Sequence, residues 1–272
     1  MKMCRLTGVS NEVIFQLAQT EGRGRFPQVL MYHSISRPEV DYDPLCTSPE
    51  RFEAQMLYLK RHNLRGVSMR ELYRALNAGE ATGLIGVTFD DGYEDFLETA
   101  VPTLEKLGFS ATVFMVAGML GGENTWEHGG GPRPQLGLLG AEGMREVSER
   151  GMEIGSHSVT HPRLSGLDSE TLVREVEDSR RMLGEMVDAP IEGFSYPYGA
   201  VDGPAVRAAR QAGYVYAVAT KKQVEGGLHD WPRTYVGEKD SPLRLGVKLK
   251  VSPILTRWRH RTLVNQTERS GT

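Results

Sequence analysis

The chain is poor in cysteine, in long hydrophobic runs and in any excess of charge of one sign. Its 272 residues include only two cysteines, so a small domain held together by several disulfides is excluded, while a single disulfide stays open. No apolar run approaches the roughly 18 residues that a membrane-spanning helix needs. Lysine and arginine number 32 against 35 for aspartate and glutamate, a formal net charge of −3 that disfavours nucleic acid as a partner.

The first residues also lack the pattern of an export signal. A secretory leader has a continuous apolar stretch of about 7–15 residues, whereas the best stretch here, residues 13–18, is interrupted by a glutamine. We therefore expect a cytoplasmic protein, with a peripheral or exported location as the alternative. Residues 1–26 are predicted to form an N-terminal extension with a short amphipathic helix over residues 11–20.

The other end of the chain, residues 244–272, is predicted to be a basic tail rich in arginine. We expect a solvated helix or a frayed end; the alternative is a segment that contacts an anionic membrane surface or an acidic polymer. The oligomeric state is left open by the sequence.

Between these segments, residues 27–243 are predicted to form one domain in which strands and helices alternate. Apolar runs predict strands over residues 29–33, 84–89, 111–117, 152–156, 193–196 and 214–219. Helical spacing predicts helices over residues 49–61, 68–76, 93–107, 141–149, 169–187 and 204–212. This alternation indicates an α/β fold, and about seven parallel strands in one run favour a distorted (β/α) barrel. Ligands of such sheets gather at the carboxyl ends of the strands.

Two adjacent carboxylates follow the strand predicted over residues 84–89. Asp90 and Asp91 precede Gly92, which allows the chain to turn so that both side chains reach one cavity. Buried carboxylates are costly unless something pairs with them. The pair therefore either serves a site, or one aspartate caps the next helix while the other is solvated.

A histidine pair follows the strand that ends at Ser156. His157 and His161 are four residues apart, so on a helix both imidazoles would share one face; the alternative is two unrelated surface histidines. With one of the aspartates they make a three-ligand metal site with an open position for water. This donor set suits zinc first, with cobalt, nickel, iron or manganese as alternatives, and the second aspartate could accept a proton from the metal-bound water.

Two further strand ends carry residues suited to amide hydrolysis. His33 ends the first strand and is the best remaining acid to protonate a leaving amine, unless it is an ordinary core histidine. In the turn after Ser195, Pro197 has no N–H, so the Tyr198 amide is the first donor that could face a developing oxyanion. The alternative is an ordinary turn with Tyr196 and Tyr198 packed beneath it.

Taken together, three segments resemble the polysaccharide deacetylases of the NodB-homology group, carbohydrate esterase family four. They are Thr88-Phe-Asp-Asp-Gly92, Ser156-His-Ser-Val-Thr-His161 and Tyr196-Pro-Tyr-Gly199. The resemblance implies a metal-dependent enzyme that removes N-acetyl groups from amino sugars. It implies Asp90 as the base, Asp91, His157 and His161 as the metal ligands, and Tyr196, Pro197 and Tyr198 as the oxyanion and substrate segment.

The order of the motifs and one residue depart from most of that family. The Leu-x-x-His acid motif matches Leu30-Met-Tyr-His33, ahead of the aspartates, an order that resembles the circularly permuted subgroup acting on poly-N-acetylglucosamine. The arginine usual two residues before the proline of the third motif is replaced by Ser195. We expect Arg233 to supply the cation beside Asp90 and keep it ionised; the alternative is a surface arginine.

The combined hypothesis is a de-N-acetylase of a poly- or oligosaccharide, in which metal-bound water attacks the amide with Asp90 as base and His33 as acid. The same chemistry on a small N-acylated metabolite is one alternative, and a non-catalytic carbohydrate-binding protein of the same fold is another. The glycine-rich residues 121–137, with Trp126 and His128, are predicted to form a long loop that lines a polymer groove or covers a small pocket.

Overall fold

Strands and helices alternate along the chain in the order expected from its sequence. The computed structural model describes residues 26–37, 45–126, 135–220, 224 and 226–250. The predicted N-terminal helix, His128 and the arginines of the predicted tail beyond residue 250 lie outside these residues, and so does Cys4. Cys46 is a buried thiol.

The strands form one sheet that curves into a nearly closed barrel, and every pairing between them is parallel. They are β1 Val29–Tyr32, β2 Arg65–Val67, β3 Leu84–Phe89, β4 Thr112–Met115, β5 Glu153–Ser156, β6 Gly193–Ser195, β7 Tyr216–Ala219, β8 Trp231–Pro232 and β9 Thr234–Tyr235. The order is β8-β7-β6-β5-β4-β3-β1-β9, with β2 also paired to β3. The predicted barrel is confirmed, but three short strands, β2, β8 and β9, were not predicted.

Two of these short strands close the barrel. β8 pairs with β7 at one edge of the sheet, and β9 pairs with β1 at the other edge. Only Arg233 lies between β8 and β9, so the segment Trp231–Tyr235, here named the seam, joins both edges through one stretch of backbone. The seam therefore places Arg233 at the point where the barrel closes.

Helices connect the strands. They are α1 Pro49–Arg61, α2 Met69–Ala78, α3 Val101–Leu107, α4 Ala141–Glu149, α5 Ser169–Val173, α6 Ser179–Val187 and α7 Gly203–Gln211. Two of the predicted helices contain a wider π turn: Phe96–Ala100 leads into α3, and Arg174–Asp178 joins α5 to α6. In the described part of the chain, no helix has both the length and the apolar content needed to cross a bilayer.

Local sequence explains several helix boundaries. The Ser68 hydroxyl accepts a hydrogen bond from the Glu71 amide at 3.2 Å, as the predicted capping box requires, and α2 begins at the next residue. Gly108, with φ of 70°, ends α3 in the left-handed conformation that glycine adopts at little cost. Ser48, the predicted cap of α1, instead donates its hydroxyl hydrogen to Glu238 at 2.8 Å.

The packed part of the chain continues beyond the boundary predicted at residue 243. Residues 242–250 are helical, and Leu245 is fully buried in the main hydrophobic core. Lys248 binds the barrel through its ammonium, which donates to the Tyr235 carbonyl oxygen at 2.8 Å. The division into extension, barrel and tail stays a prediction, because most of both end segments lies outside the described residues.

Close packing between β6 and β7 leads to a stability prediction. A Cβ on Gly193 would overlap the ring of Tyr216, whose hydroxyl donates to the buried Glu153 at 2.6 Å. We expect Gly193→Ala to lower the free energy of unfolding by about 1–3 kcal/mol, measured by urea denaturation. Gly203→Ala is the control, because its added Cβ would meet only the mobile end of the Arg207 side chain. Equal stability of the two variants would contradict the prediction.

Candidate metal centre and active site

A cavity of about 230 Å³ lies where the carboxyl ends of the strands meet. Its lining includes His33 after β1, Asp90 and Asp91 after β3, His157 and His161 after β5, and Tyr198 after β6. Segments far apart in sequence therefore meet at one rim, as the parallel topology predicts.

The backbone reaches the cavity through an unusual number of left-handed residues. Asp91 and Gly92 both have φ of 76°, so the chain turns at once and the two adjacent carboxylates reach the same space. Ser158, His161 and Tyr198 have φ of 70°, 63° and 57°. A positive φ is unfavourable for residues other than glycine, and such residues concentrate at functional sites. Four of the six in the described part of the chain stand here.

Three side chains point their ligand atoms at one another. The Nε2 atoms of His157 and His161 each lie 3.4 Å from Asp91 Oδ1, and 3.2 Å from each other. Ligands about 2.0–2.1 Å from a tetrahedral zinc ion are about 3.3 Å apart, which matches this triangle. The three residues, all buried, therefore fit a divalent metal ion and leave it one further coordination position.

The two histidines do not lie on a helix, so that part of the expectation is wrong. β5 ends at Ser156, and residues 157–161 form a loop. Two left-handed residues fold this loop back, and the His161 amide donates to the Ser158 hydroxyl oxygen at 3.0 Å. The four-residue spacing brings the imidazoles together through this closed loop, which we name the histidine loop.

Hydrogen bonds orient the ligand side chains. His157 Nδ1 lies 2.8 Å from the Ser195 carbonyl oxygen, and as the donor there it leaves the Nε2 lone pair for a metal ion. The Tyr93 hydroxyl donates to Asp91 Oδ2 at 3.0 Å and accepts from the Asn124 side chain at 3.3 Å. Burial raises the pKa of Asp91, but hydrogen bonds from the two histidines outweigh it, so this pKa lies well below its ordinary value.

Asp90 contacts a cation of the protein itself. Arg233 Nη1 and Nη2 lie 2.6 Å from Asp90 Oδ1 and Oδ2, a bidentate pair with both side chains buried. The Ser195 hydroxyl donates to Asp90 Oδ1 at 3.2 Å and accepts from Arg233 Nη2 at 2.9 Å. Burial raises the pKa of Asp90, but the charges of Arg233 and His157 outweigh it and hold this pKa below its ordinary value.

His33 and Tyr198 face the cavity from opposite sides of the sequence motifs. Burial lowers the pKa of His33 more than the neighbouring carboxylates raise it. Its Nδ1 atom is buried and has no hydrogen-bond partner among the described residues. The Tyr198 ring lies 4.7 Å from that of His161, measured between centroids, and the Arg163 guanidinium lies 4.5 Å from the Tyr198 ring centroid.

Two residues of the predicted oxyanion and substrate segment do not line the cavity with their side chains. Tyr196 is fully buried, packs against Phe194 and donates its hydroxyl hydrogen to the His229 carbonyl oxygen at 2.9 Å. Pro197 is also buried and begins a short 3₁₀ turn that ends at Gly199. Both residues therefore support the turn that presents Tyr198.

Several residues around the cavity were not predicted. Tyr93 stands two residues after Asp91, and that position is the one signal that could have suggested its role. Asn124 and Tyr235 carry no such signal. Trp126 was assigned only to the long loop, and its ring packs 4.4 Å from that of His161, measured between centroids, at the rim of the cavity.

Comparisons with known proteins agree with this fold and site. Residues 78–217 match the family described as polysaccharide deacetylase. YxkH of Bacillus subtilis, assigned to the polysaccharide deacetylases, is 30% identical over 205 residues, which cover 75% of this chain and 67% of that protein. The poly-β-1,6-N-acetyl-D-glucosamine N-deacetylase of Staphylococcus aureus is 23% identical over 204 residues, 70% of this chain and 68% of that protein.

Solved structures give the same result. The deacetylase PplD of Streptococcus pyogenes, in complex with acetate, aligns with a TM-score of 0.71 and 26% identity over 82% of this chain and 97% of that one. IcaB of Ammonifex degensii, at 21% identity, shares the fold with a TM-score of 0.66 over 84% of this chain and 98% of that one. This chain belongs to the polysaccharide deacetylase family, so the predicted family, fold and class of enzyme are confirmed.

The bidentate pair leads to a prediction about stability. Arg233→Met leaves the Asp90 carboxylate buried without its cation, and we expect a loss of about 3–5 kcal/mol in the free energy of unfolding. The double variant Asp90→Asn with Arg233→Met should regain part of this loss, with a coupling energy of about 1–3 kcal/mol in urea denaturation. Arg174→Met, at an exposed position, is the control. A coupling energy near zero would argue against the pair.

Proposed function

We propose that this protein removes N-acetyl groups from amino sugars of a poly- or oligosaccharide in a metal-dependent reaction. One observation carries the proposal: two adjacent carboxylates share a cavity but have different partners. Asp91 faces the Nε2 atoms of two histidines, and Asp90 faces the guanidinium of Arg233. A ligand and a base are the two carboxylates that metal-assisted amide hydrolysis needs.

The base is Asp90 in this proposal. Its pKa, held below the ordinary value, keeps it ionised at neutral pH and so able to accept a proton from the attacking water. A divalent cation on Asp91, His157 and His161, zinc being the first choice for this donor set, supplies Lewis acidity that polarises the acetyl carbonyl and makes water a stronger acid. Cobalt and nickel suit the same ligands.

Two further residues act on the acetyl group and the leaving amine. The Tyr198 amide donates to the developing oxyanion from the left-handed turn that brings its residue to the cavity. His33 donates a proton to the amine nitrogen as the C–N bond breaks. Its lowered pKa makes it a stronger acid toward the amine, although less of it is protonated at neutral pH.

The names of two relatives support an N-acetylated polymer as the substrate. The Staphylococcus aureus relative is a poly-β-1,6-N-acetyl-D-glucosamine N-deacetylase, and PplD is a deacetylase solved with acetate. Acetate release from N-acetylglucosamine oligomers and from the single sugar separates a polymer substrate from a small one. The cytoplasmic location stays a prediction.

We expect Asp90→Asn to reduce acetate release from N-acetylglucosamine oligomers by about 100- to 10,000-fold, because the amide accepts no proton from water. Zinc affinity should change much less, since Asp91 and both histidines remain. Asp188→Asn makes the same chemical change at an exposed left-handed position that asparagine tolerates, and should behave as wild type. Turnover of Asp90→Asn near the wild-type rate would refute the assignment of the base.

The role of His33 is tested by the choice of leaving group. His33→Ala should slow release of acetate from the amide of an N-acetylated oligomer by about 100-fold or more. Hydrolysis of 4-nitrophenyl acetate should fall far less, because nitrophenolate leaves as a stable anion and needs no proton. Asp90→Asn should slow both reactions. Equal losses on both substrates in His33→Ala would show that His33 is not the acid.

A further inference from the structure

The histidine loop is bound by a carboxylate that has no part in the proposed reaction. The Glu175 side chain is about nine-tenths buried, with 8% of its surface exposed. Its Oε2 atom accepts hydrogen bonds from the amides of Val159 and Thr160, both at 2.9 Å, and its Oε1 atom accepts from the Thr160 hydroxyl at 2.6 Å. One carboxylate therefore binds the two residues midway between the metal-ligand histidines.

The geometry of these contacts is that of an anion bound by backbone amides. Successive N–H groups of a left-handed or turning backbone converge on a common point, and a negative charge stabilises that arrangement. Left-handed Ser158 precedes the two amides, and left-handed His161 follows them. Glu175 thus supplies the anion that this strained backbone needs.

The opposite side of the loop is bound as well. The amides of Ala117 and Gly118 donate to the carbonyl oxygens of Ser158 and Val159 at 3.0 and 2.9 Å. A Cβ on Gly118 would lie 2.7 Å from the Val159 carbonyl oxygen, so glycine permits this approach. The loop is consequently fixed through its carbonyl groups on one side and through its amides on the other.

Glu175 reaches the loop from the π turn Arg174–Asp178, in which both Glu175 and Val176 are buried. π turns are rare and recur at functional sites, because an added residue changes which side chains face inward. We propose that Glu175 is a positioning residue that pre-organises His157 and His161 for the metal ion. The inference rests on the proposed function, since it assumes that these histidines bind a metal.

The proposal predicts a loss of metal affinity on removal of the carboxylate. Glu175→Ala leaves two amides of the loop without their acceptor, and the strained backbone then relaxes away from the geometry that aligns the two Nε2 atoms. Changes in groups that orient metal ligands typically weaken metal binding 10- to 100-fold, and we expect a zinc dissociation constant raised by about that factor.

Glu175→Gln provides a test by conservative rescue. Its amide oxygen can accept from the amides of Val159 and Thr160, and its amide N–H can donate to the Thr160 hydroxyl oxygen. Its zinc dissociation constant should therefore be closer to that of wild type than to that of Glu175→Ala. Glu177→Ala is the matched control, because Glu177 lies in the same π turn but is exposed.

The experiment measures zinc binding to the full chain by competition with a chromogenic chelator, together with the Tm of the apo protein. A raised dissociation constant in Glu175→Ala, rescued by glutamine, supports the proposal. A lowered Tm with unchanged zinc affinity would show a merely structural role and overturn it. If Glu175→Ala does not fold, Thr160→Val replaces it, with an expected loss of about two- to tenfold, the worth of one hydrogen bond; unchanged affinity there would equally overturn the proposal.

Acetate release from N-acetylglucosamine oligomers separates this inference from the proposed function. Wild-type protein that binds zinc but releases no acetate would refute the proposed reaction and leave the role of Glu175 standing. Wild-type activity combined with unchanged zinc affinity in Glu175→Ala would refute only the role of Glu175. Absence of zinc binding by the wild type would refute both.

Discussion

The buried ion pair between Asp90 and Arg233 is the interaction on which the rest of the site depends. Removing two charges from water costs several kcal/mol each, and only good geometry with additional hydrogen bonds offsets that cost. Here the pair is bidentate, and the Ser195 hydroxyl contacts both partners. Because Asp90 follows β3 and Arg233 lies in the seam, the pair forms only when the barrel closes. Closure of the fold and assembly of the base are therefore one event.

The seam also explains how this chain manages without the arginine usual in its family. At that position Ser195 is too short to carry a charge, yet its hydroxyl lies between the carboxylate and the guanidinium. The cation arrives from the other side of the barrel closure. A serine at one strand end and an arginine in the seam thus replace one long side chain.

How much of this was predictable differs between elements. Strands of four or more apolar residues, such as β3, were predicted, because burial on both faces leaves a continuous apolar run. β8 and β9 have two residues each, too few for any periodicity, and only pairing with β7 and β1 defines them. The Asp90–Arg233 contact was expected from the family's missing arginine, whereas Glu175 and Asn124 looked like ordinary polar residues.

The histidine pair shows why spacing alone is ambiguous. A separation of four residues places two side chains on one face of a helix, but a loop closed by two left-handed residues does the same. Sequence patterns carry no direct signal for positive φ in serine or histidine. That information resides in the tertiary contacts that make the conformation affordable, here those of Ala117, Gly118 and Glu175.

The charges of the site suit the reaction that the protein is proposed to perform. Asp90 and Arg233 cancel, so a dication held by Asp91 and two neutral imidazoles would leave one positive charge facing the cavity. During attack by water, a proton neutralises Asp90 while a negative charge develops on the acetyl oxygen, and the total charge of the site does not change. The negative charge moves from Asp90 to a point beside the positive centre, and the Arg233 charge stays near enough to oppose the return of a second proton to Asp90. Electrostatic stabilisation therefore increases along the reaction without any rearrangement of the protein, which is the condition for a pre-organised site.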